Sequence, residues 1–118
     1  MCRISQAGAL AALADTDWMT HVQAQVASAR DRIGAIAKQH GLIPLPSATN
    51  FVTIECGKDG DFARAVLAAL VADGIFVRMP FVAPQDRCIR VSCGTDAQIS
   101  AFAAAIPRAL TAAHEKLG

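Results

Sequence analysis

Apolar residues recur every three or four positions between residues 17 and 40. Trp18, Val22, Val26, Ala29, Ile33 and Ile36 fall on one face of a predicted helix. Asp15-Thr16-Asp17 offers side chains to cap its start, and Gly41 closes it after Lys38 and His40, whose charges suit a helix C-terminus. At ~1.5 Å per residue this helix would run about 35 Å. That is long for a small domain, and it predicts a helix that bridges to something else. A shorter Ala-rich helix is predicted upstream, over residues 5–14.

Beyond Gly41 the period changes. Two prolines in "GLIPLPSATN" keep the chain extended and out of any central strand. "NFVTIEC" then alternates, with Val52, Ile54 and Cys56 on one face and Phe51, Thr53 and Glu55 on the other. The turn "GKDGD" leads to a helix over about 61–73, with Phe62, Val66, Leu67, Leu70 and Val71 as its buried stripe and Gly74 at its end. "IFVRM" reads as a second strand, "PFVAPQD" as a proline-bounded loop, and "CIRVS" as a third strand. Thr95 and Gln98 fit a capping box. The helix behind it presents Ile99, Phe102, Ala103, Ile106 and Leu110, with a kink expected at Pro107. The fold class is therefore α/β (α+β): a small mixed sheet of about three strands with helices on one face, preceded by a short helix and a long connecting helix.

The two sheet faces differ in character. One collects Val52, Ile54, Cys56, Ile75, Val77, Ile89, Val91 and Cys93, and the stripes of the last two helices match it. The other collects Phe51, Thr53, Glu55, Phe76, Arg78, Cys88, Arg90 and Ser92. Two arginines and a carboxylate mixed with two phenylalanines make neither a core nor a plain solvent surface. Two readings stay open here. The face is wet, with an Arg–Glu pair across strands worth about 0.2–1 kcal/mol. Or it meets another domain, with an arginine poised for an acid group, which the planar guanidinium can hold through two parallel charge-assisted hydrogen bonds.

Composition narrows the classes. The 118 residues are 53% hydrophobic and 18% charged, so the chain folds as one compact unit rather than staying disordered. A net charge of +1 and 5% aromatic content leave neither an electrostatic footprint for nucleic acid or anionic lipid nor a base-stacking platform, so no nucleic-acid partner is expected. Cys2, Cys56, Cys88 and Cys93 form no C-x-x-C and have no histidine at ligand spacing. Reduced thiols are expected, not a metal site or a disulfide. The start imitates a signal peptide with Ala12-Leu13-Ala14, but holds only two leucines and no polar region before cleavage. No segment approaches the ~20 apolar residues of a membrane span, and a cytoplasmic protein is expected.

The segments "ISQAGALAALAD", "PSATNFVTIECG", "GIFVR" and "CIRVSCGTDAQISAF" occur in an order and spacing that resemble the C-terminal part of pyridoxal-phosphate-dependent aminotransferases. The likeness is to fold type I, class I/II, the histidinol-phosphate aminotransferase-like group, and it covers nearly the whole chain. It implies a small domain that packs over a cofactor-binding large domain, with residues 1–16 as a helical remnant of the large-domain side and 17–118 as the small domain with connector 17–40. It implies that Arg90 binds the substrate carboxylate, that Arg78 serves side-chain recognition or domain packing, and that Asn50 lies near the cleft. It implies amino transfer between an amino acid and a 2-keto acid, in a homodimer using pyridoxal phosphate.

The family also needs a Schiff-base lysine. Lys38, Lys58 and Lys116 lie at a helix end, in a Gly-rich turn and near the C-terminus, where nothing would lower an amine pKa. No catalytic, cofactor-binding or metal residue is therefore expected here, and no tight cofactor binding by this chain alone. The resemblance implies a fragment whose large domain is supplied in cis or in trans. The alternative expectation is a stand-alone α/β ligand-binding or regulatory module that dimerises through its open sheet face.

Overall fold

The computed structural model describes residues 2–117; Met1 and Gly118, the outermost residues of the two expected units, lie outside the described residues. Helix α1 (Arg3–Ala14) and helix α2 (Thr16–Gln39) are followed by strands β1 (Ile43–Pro44) and β2 (Phe51–Glu55), then helix α3 (Gly60–Ala72). A 3-10 turn (Gln85–Arg87), strand β3 (Cys88–Ser92) and helix α4 (Asp96–Leu117) complete the chain. The sheet order is β1-β2-β3, antiparallel throughout, with Ile54 opposite Ile89 and Thr53 opposite Arg90.

The architecture is the expected one, with an exchange of strands. Residues 75–79 pair with β3 only at Arg78, opposite Arg90, and the short β1 takes the other edge of the sheet. The reason lies at the end of α3. Ile75 N–H donates to the Leu70 carbonyl (2.8 Å) and Gly74 N–H to Val71 (2.9 Å), with Gly74 at φ 81°. That C-terminal cap holds the first residues of the segment against the helix, and Pro80 removes a donor at its other end. Only the middle is left to pair. Pro44 is tolerated in β1 because β1 lies at an edge.

The core forms where the helix stripes meet the apolar sheet face. Ile54 and Ile89, register partners, are fully buried, as are Ile33 of α2, Val66 and Leu70 of α3, and Ile106 of α4. The C-terminal half of α2 thus joins α3 and α4 over the sheet. Its N-terminal half and all of α1 do not, and Ile4, Leu10, Leu13 and Trp18 are exposed. The molecule measures 56 × 28 × 25 Å, with a radius of gyration of 17.0 Å, against about 13–14 Å for a compact domain of this length. The excess is the arm made by α1 and the first half of α2.

Ion pairs tie the helices together at the surface. Arg32 of α2 reaches Asp96 at the start of α4 (2.9 Å), and Arg108 of α4 reaches Asp73 just after α3 (3.1 Å). The capping box forms in both directions: Gln98 N–H donates to Thr95 Oγ1 (3.3 Å) and Thr95 N–H to Gln98 Oε1 (2.9 Å). Replacing Thr95 by alanine is expected to lower stability by about 1 kcal/mol, read as a lower urea midpoint with an unchanged slope. Pro107 lies inside α4 without ending it.

Candidate anion-binding cleft

Alternation along β3 decides where Arg90 points. Ile89 and Val91 are buried in the core, so Arg90 stands on the opposite, helix-free face, where it is exposed. Its backbone faces Arg78: Arg90 N–H donates to the Arg78 carbonyl (2.6 Å) and Arg78 N–H to the Arg90 carbonyl (3.1 Å). Partners directly opposite in an antiparallel pair share a face, and like charges there are mutually unfavourable. Arg78 and Arg90 are therefore placed on the same face of the sheet.

Neither has a counter-charge among the described residues. Among the described residues the carboxylate on this face, Glu55, pairs with Arg87 at 3.1 Å, and no ion pair reaches Arg78 or Arg90. An Arg–Glu pair across strands does exist, but its arginine is Arg87. What holds the Arg90 head is Phe51, whose ring centroid lies 4.4 Å from Cζ. Stacking of this kind contributes about 0.5–1 kcal/mol at an exposed site. It restricts the side chain while leaving its N–H donors available.

Arg78 and Arg90 edge a cleft of about 680 Å³ between α3 and residues 76–81. Leu67, Phe76 and Phe81 supply apolar walls, and Arg64 adds a third guanidinium that Asp61 and Asp86 partly neutralise. Phe81 is 92% exposed. A positive rim beside an apolar wall suits a small anion attached to a less polar body. Pro84, in the loop that carries Phe81, is not part of the cleft lining.

Asn50 lies elsewhere on the same sheet. It is exposed, does not line this cleft, and its carbonyl accepts from Cys93 N–H (2.8 Å), extending the β2–β3 pairing by one residue. The loop before it is held from α2, where Arg30 donates to the Thr49 carbonyl (2.8 Å), and by Ser47, which donates to the Phe51 carbonyl (2.6 Å). These supports for Phe51, and the roles of Arg64 and Arg87, were not visible in the alternation. It assigns faces, not partners.

The thiols are free among the described residues. Burial pushes the Cys56 thiol up to about 12, with Cys88 and Glu55 adding to the effect, and burial raises Cys88 and Cys93 as well. Cys88 is buried although alternation assigns it to the open face. No group of three or more His, Cys, Asp or Glu among the described residues could hold a metal ion. No described helix is long and apolar enough to cross a membrane.

Comparison with known proteins identifies the architecture. The family model for aminotransferase class I and II matches residues 1–106. The chain belongs to the class I and II aminotransferase family. Histidinol-phosphate aminotransferase 2 of Gluconobacter oxydans (strain 621H) is 37% identical over 95 residues, which are 80% of this chain and 26% of that protein. Histidinol-phosphate aminotransferase 1 of Cupriavidus pinatubonensis is 32% identical over 107 residues, 91% of this chain and 28% of that protein. The crystal structure of histidinol-phosphate aminotransferase from Sinorhizobium meliloti in complex with pyridoxal-5'-phosphate superposes with a TM-score of 0.90 at 53% identity. That match covers 94% of this chain and 30% of the other. The chain thus spans about 26–30% of the length of these relatives.

Proposed function

We propose that this chain is the substrate-anion-binding part of a pyridoxal-phosphate-dependent aminotransferase, with Arg90 and Arg78 holding the acid group of the substrate. The observation that carries this reading is the pair of directly opposed arginines, without carboxylate partners among the described residues, on the sheet face that no helix covers. An acid group placed between them would relieve their repulsion and accept charge-assisted hydrogen bonds from both. Asn50, one residue before the ring that carries the Arg90 head, completes the candidate set. For an amino acid or 2-keto acid the group is a carboxylate. For histidinol phosphate, after which the relatives are named, it is a phosphate.

The residues present do not fit the cofactor. Lys38 is exposed in the last turn of α2, Lys116 is exposed in the last turn of α4, and the Lys58 ammonium lies 5.2 Å from the Phe62 ring centroid in the turn before α3. A Schiff-base lysine needs a desolvated pocket or a neighbouring cation to lower its pKa, and none of these has one. The cofactor-holding residues of the proposed enzyme are therefore supplied by a large domain outside this sequence, in cis or in trans. The apolar arm of α1 and the first half of α2 is the surface we propose for docking it. A cytoplasmic homodimer is the setting we propose, in keeping with thiols that form no disulfide. The stand-alone module is not favoured, since the family match runs through residues 1–106.

A chimera tests the proposal. This chain replaces the corresponding 30% of the Sinorhizobium meliloti enzyme, where 53% identity makes a folded product reasonable. Transamination of histidinol phosphate or of an amino acid is the expected result. A folded, cofactor-loaded chimera that turns over neither would overturn it.

A further inference from the structure

The loop joining the Arg78 segment to β3 is tied to β2 at its last residue, where Arg87 pairs with Glu55 (3.1 Å) and its carbonyl accepts from Cys56 N–H (3.1 Å), and to α3 through Asp86. Of residues 81–87, Asp86 alone is not exposed. Its carboxylate lies over Gly60, the buried first residue of α3, so closely that a Cβ there would come within 2.8 Å of Asp86 Cγ and nearer still to Oδ2. Arg64 Nη1 stands 4.0 Å from the same oxygen, while Arg64 Nη2 binds Asp61. A carboxylate at the N-terminal end of a helix is also favoured by the helix dipole. On its other side, Asp86 N–H donates to the Val82 carbonyl (3.2 Å), closing the turn that carries the loop tip.

This attachment shares parts with the anion-binding cleft. Arg64 touches Asp86 and lines the cleft, Phe81 on the tethered loop is a cleft wall, and β3, with Arg90 at its centre, begins two residues after Asp86. We propose that Asp86 is a positioning residue: with Gly60 and Arg64 it latches residues 80–87 to the start of α3 and so sets the Phe81 wall beside Arg78 and Arg90. The latch acts before any ligand arrives. An anchored wall excludes water from one side of the guanidinium pair and leaves less loop freedom to be lost on binding. The ligand half of this inference rests on the anion-binding function proposed above; the loop half does not.

Two variants of the full chain separate the halves. Asp86→Asn removes the charge and keeps the shape, whereas Gly60→Ala keeps every charge and displaces the carboxylate with a methyl group. Amide hydrogen exchange of the ligand-free chain reads the latch. The Asp86 amide, bonded to the Val82 carbonyl, is expected to exchange about tenfold faster in either variant, with the core amides of α3, α4 and β3 unchanged. Inorganic phosphate, titrated while the Arg78 and Arg90 resonances are followed by NMR, reads the cleft, and both variants are expected to bind it about three- to tenfold more weakly. Unaltered loop exchange in Asp86→Asn would overturn the latch. So would faster exchange spread evenly through the core, which marks a purely structural role, whereas a freed loop with unchanged phosphate affinity would leave the latch and overturn its positioning of the cleft. If the unsubstituted chain binds no phosphate at Arg78 and Arg90, the anion-binding function fails, and exchange in the loop still decides whether the latch exists.

Discussion

Replacing Arg90 by alanine in the chimeric enzyme is expected to lower kcat/KM by about 10²–10⁴-fold. Two charge-assisted hydrogen bonds, each roughly 1.5–3 kcal/mol, are lost from the substrate acid group, and every 1.4 kcal/mol is a factor of ten. Arg78 stays behind but presents its fork from the neighbouring segment and cannot reproduce both bonds. Arg90→Lys restores the charge without the planar pair of donors, so it is expected to recover only part of the loss. The fold should barely notice. Arg90 is exposed, with stacking on Phe51 and no ion pair among the described residues, so the alanine variant should unfold within about 1 kcal/mol of the parent. Steady-state kinetics beside a urea titration separate the two effects. Full turnover of both amino acids and histidinol phosphate by the alanine variant would remove Arg90 from the site.

How much of this was legible in the sequence depends on the range of the interactions. The Thr95–Gln98 box, the Asp15 cap and the Gly41 and Gly74 termini are set by residues within five positions of one another, and each forms where the pattern places it. The stripes of α3 and α4, apart from Val71, which is exposed, and the buried faces of β2 and β3 follow from period alone. Legibility stopped where two local signals competed for the same atoms. Residues 75–79 alternate like a strand, but the C-terminal cap of α3 takes the Ile75 N–H first. The candidate site divides the same way. Alternation puts Arg78 and Arg90 on the open face. Which arginine reaches Glu55 depends on register and rotamer, and Arg87 does so from the end of the 3-10 turn. The fold of Asp86 onto Gly60 is a contact across 26 positions, and no local pattern encodes it.

Raising the pH from 8 to 11 is expected to cost this chain about 3 kcal/mol of stability through Cys56 alone. The thiol is 5% exposed beneath the helices, and its pKa rises from the 9.0 of a solvated cysteine to about 12, first by desolvation, then by its neighbours Cys88 and Glu55. The sign follows from which state ionises first. Below pH 9 the thiol is protonated in both the folded and the unfolded chain, and its contribution is fully present. Above pH 9 the unfolded chain loses the proton and the folded chain keeps it. Stability therefore falls by about 1.4 kcal/mol per pH unit until the folded thiol also titrates near 12. Burial raises the Cys88 and Cys93 thiols too, which steepens the fall in the same direction. Cys56→Ala costs packing at every pH but removes this group from the titration. Urea unfolding at pH 8 and 11 should then show the difference between parent and variant shrinking, or reversing, by about 3 kcal/mol as the pH rises. Parallel pH profiles would mean that Cys56 ionises as freely in the folded chain as in water, against its burial in the core.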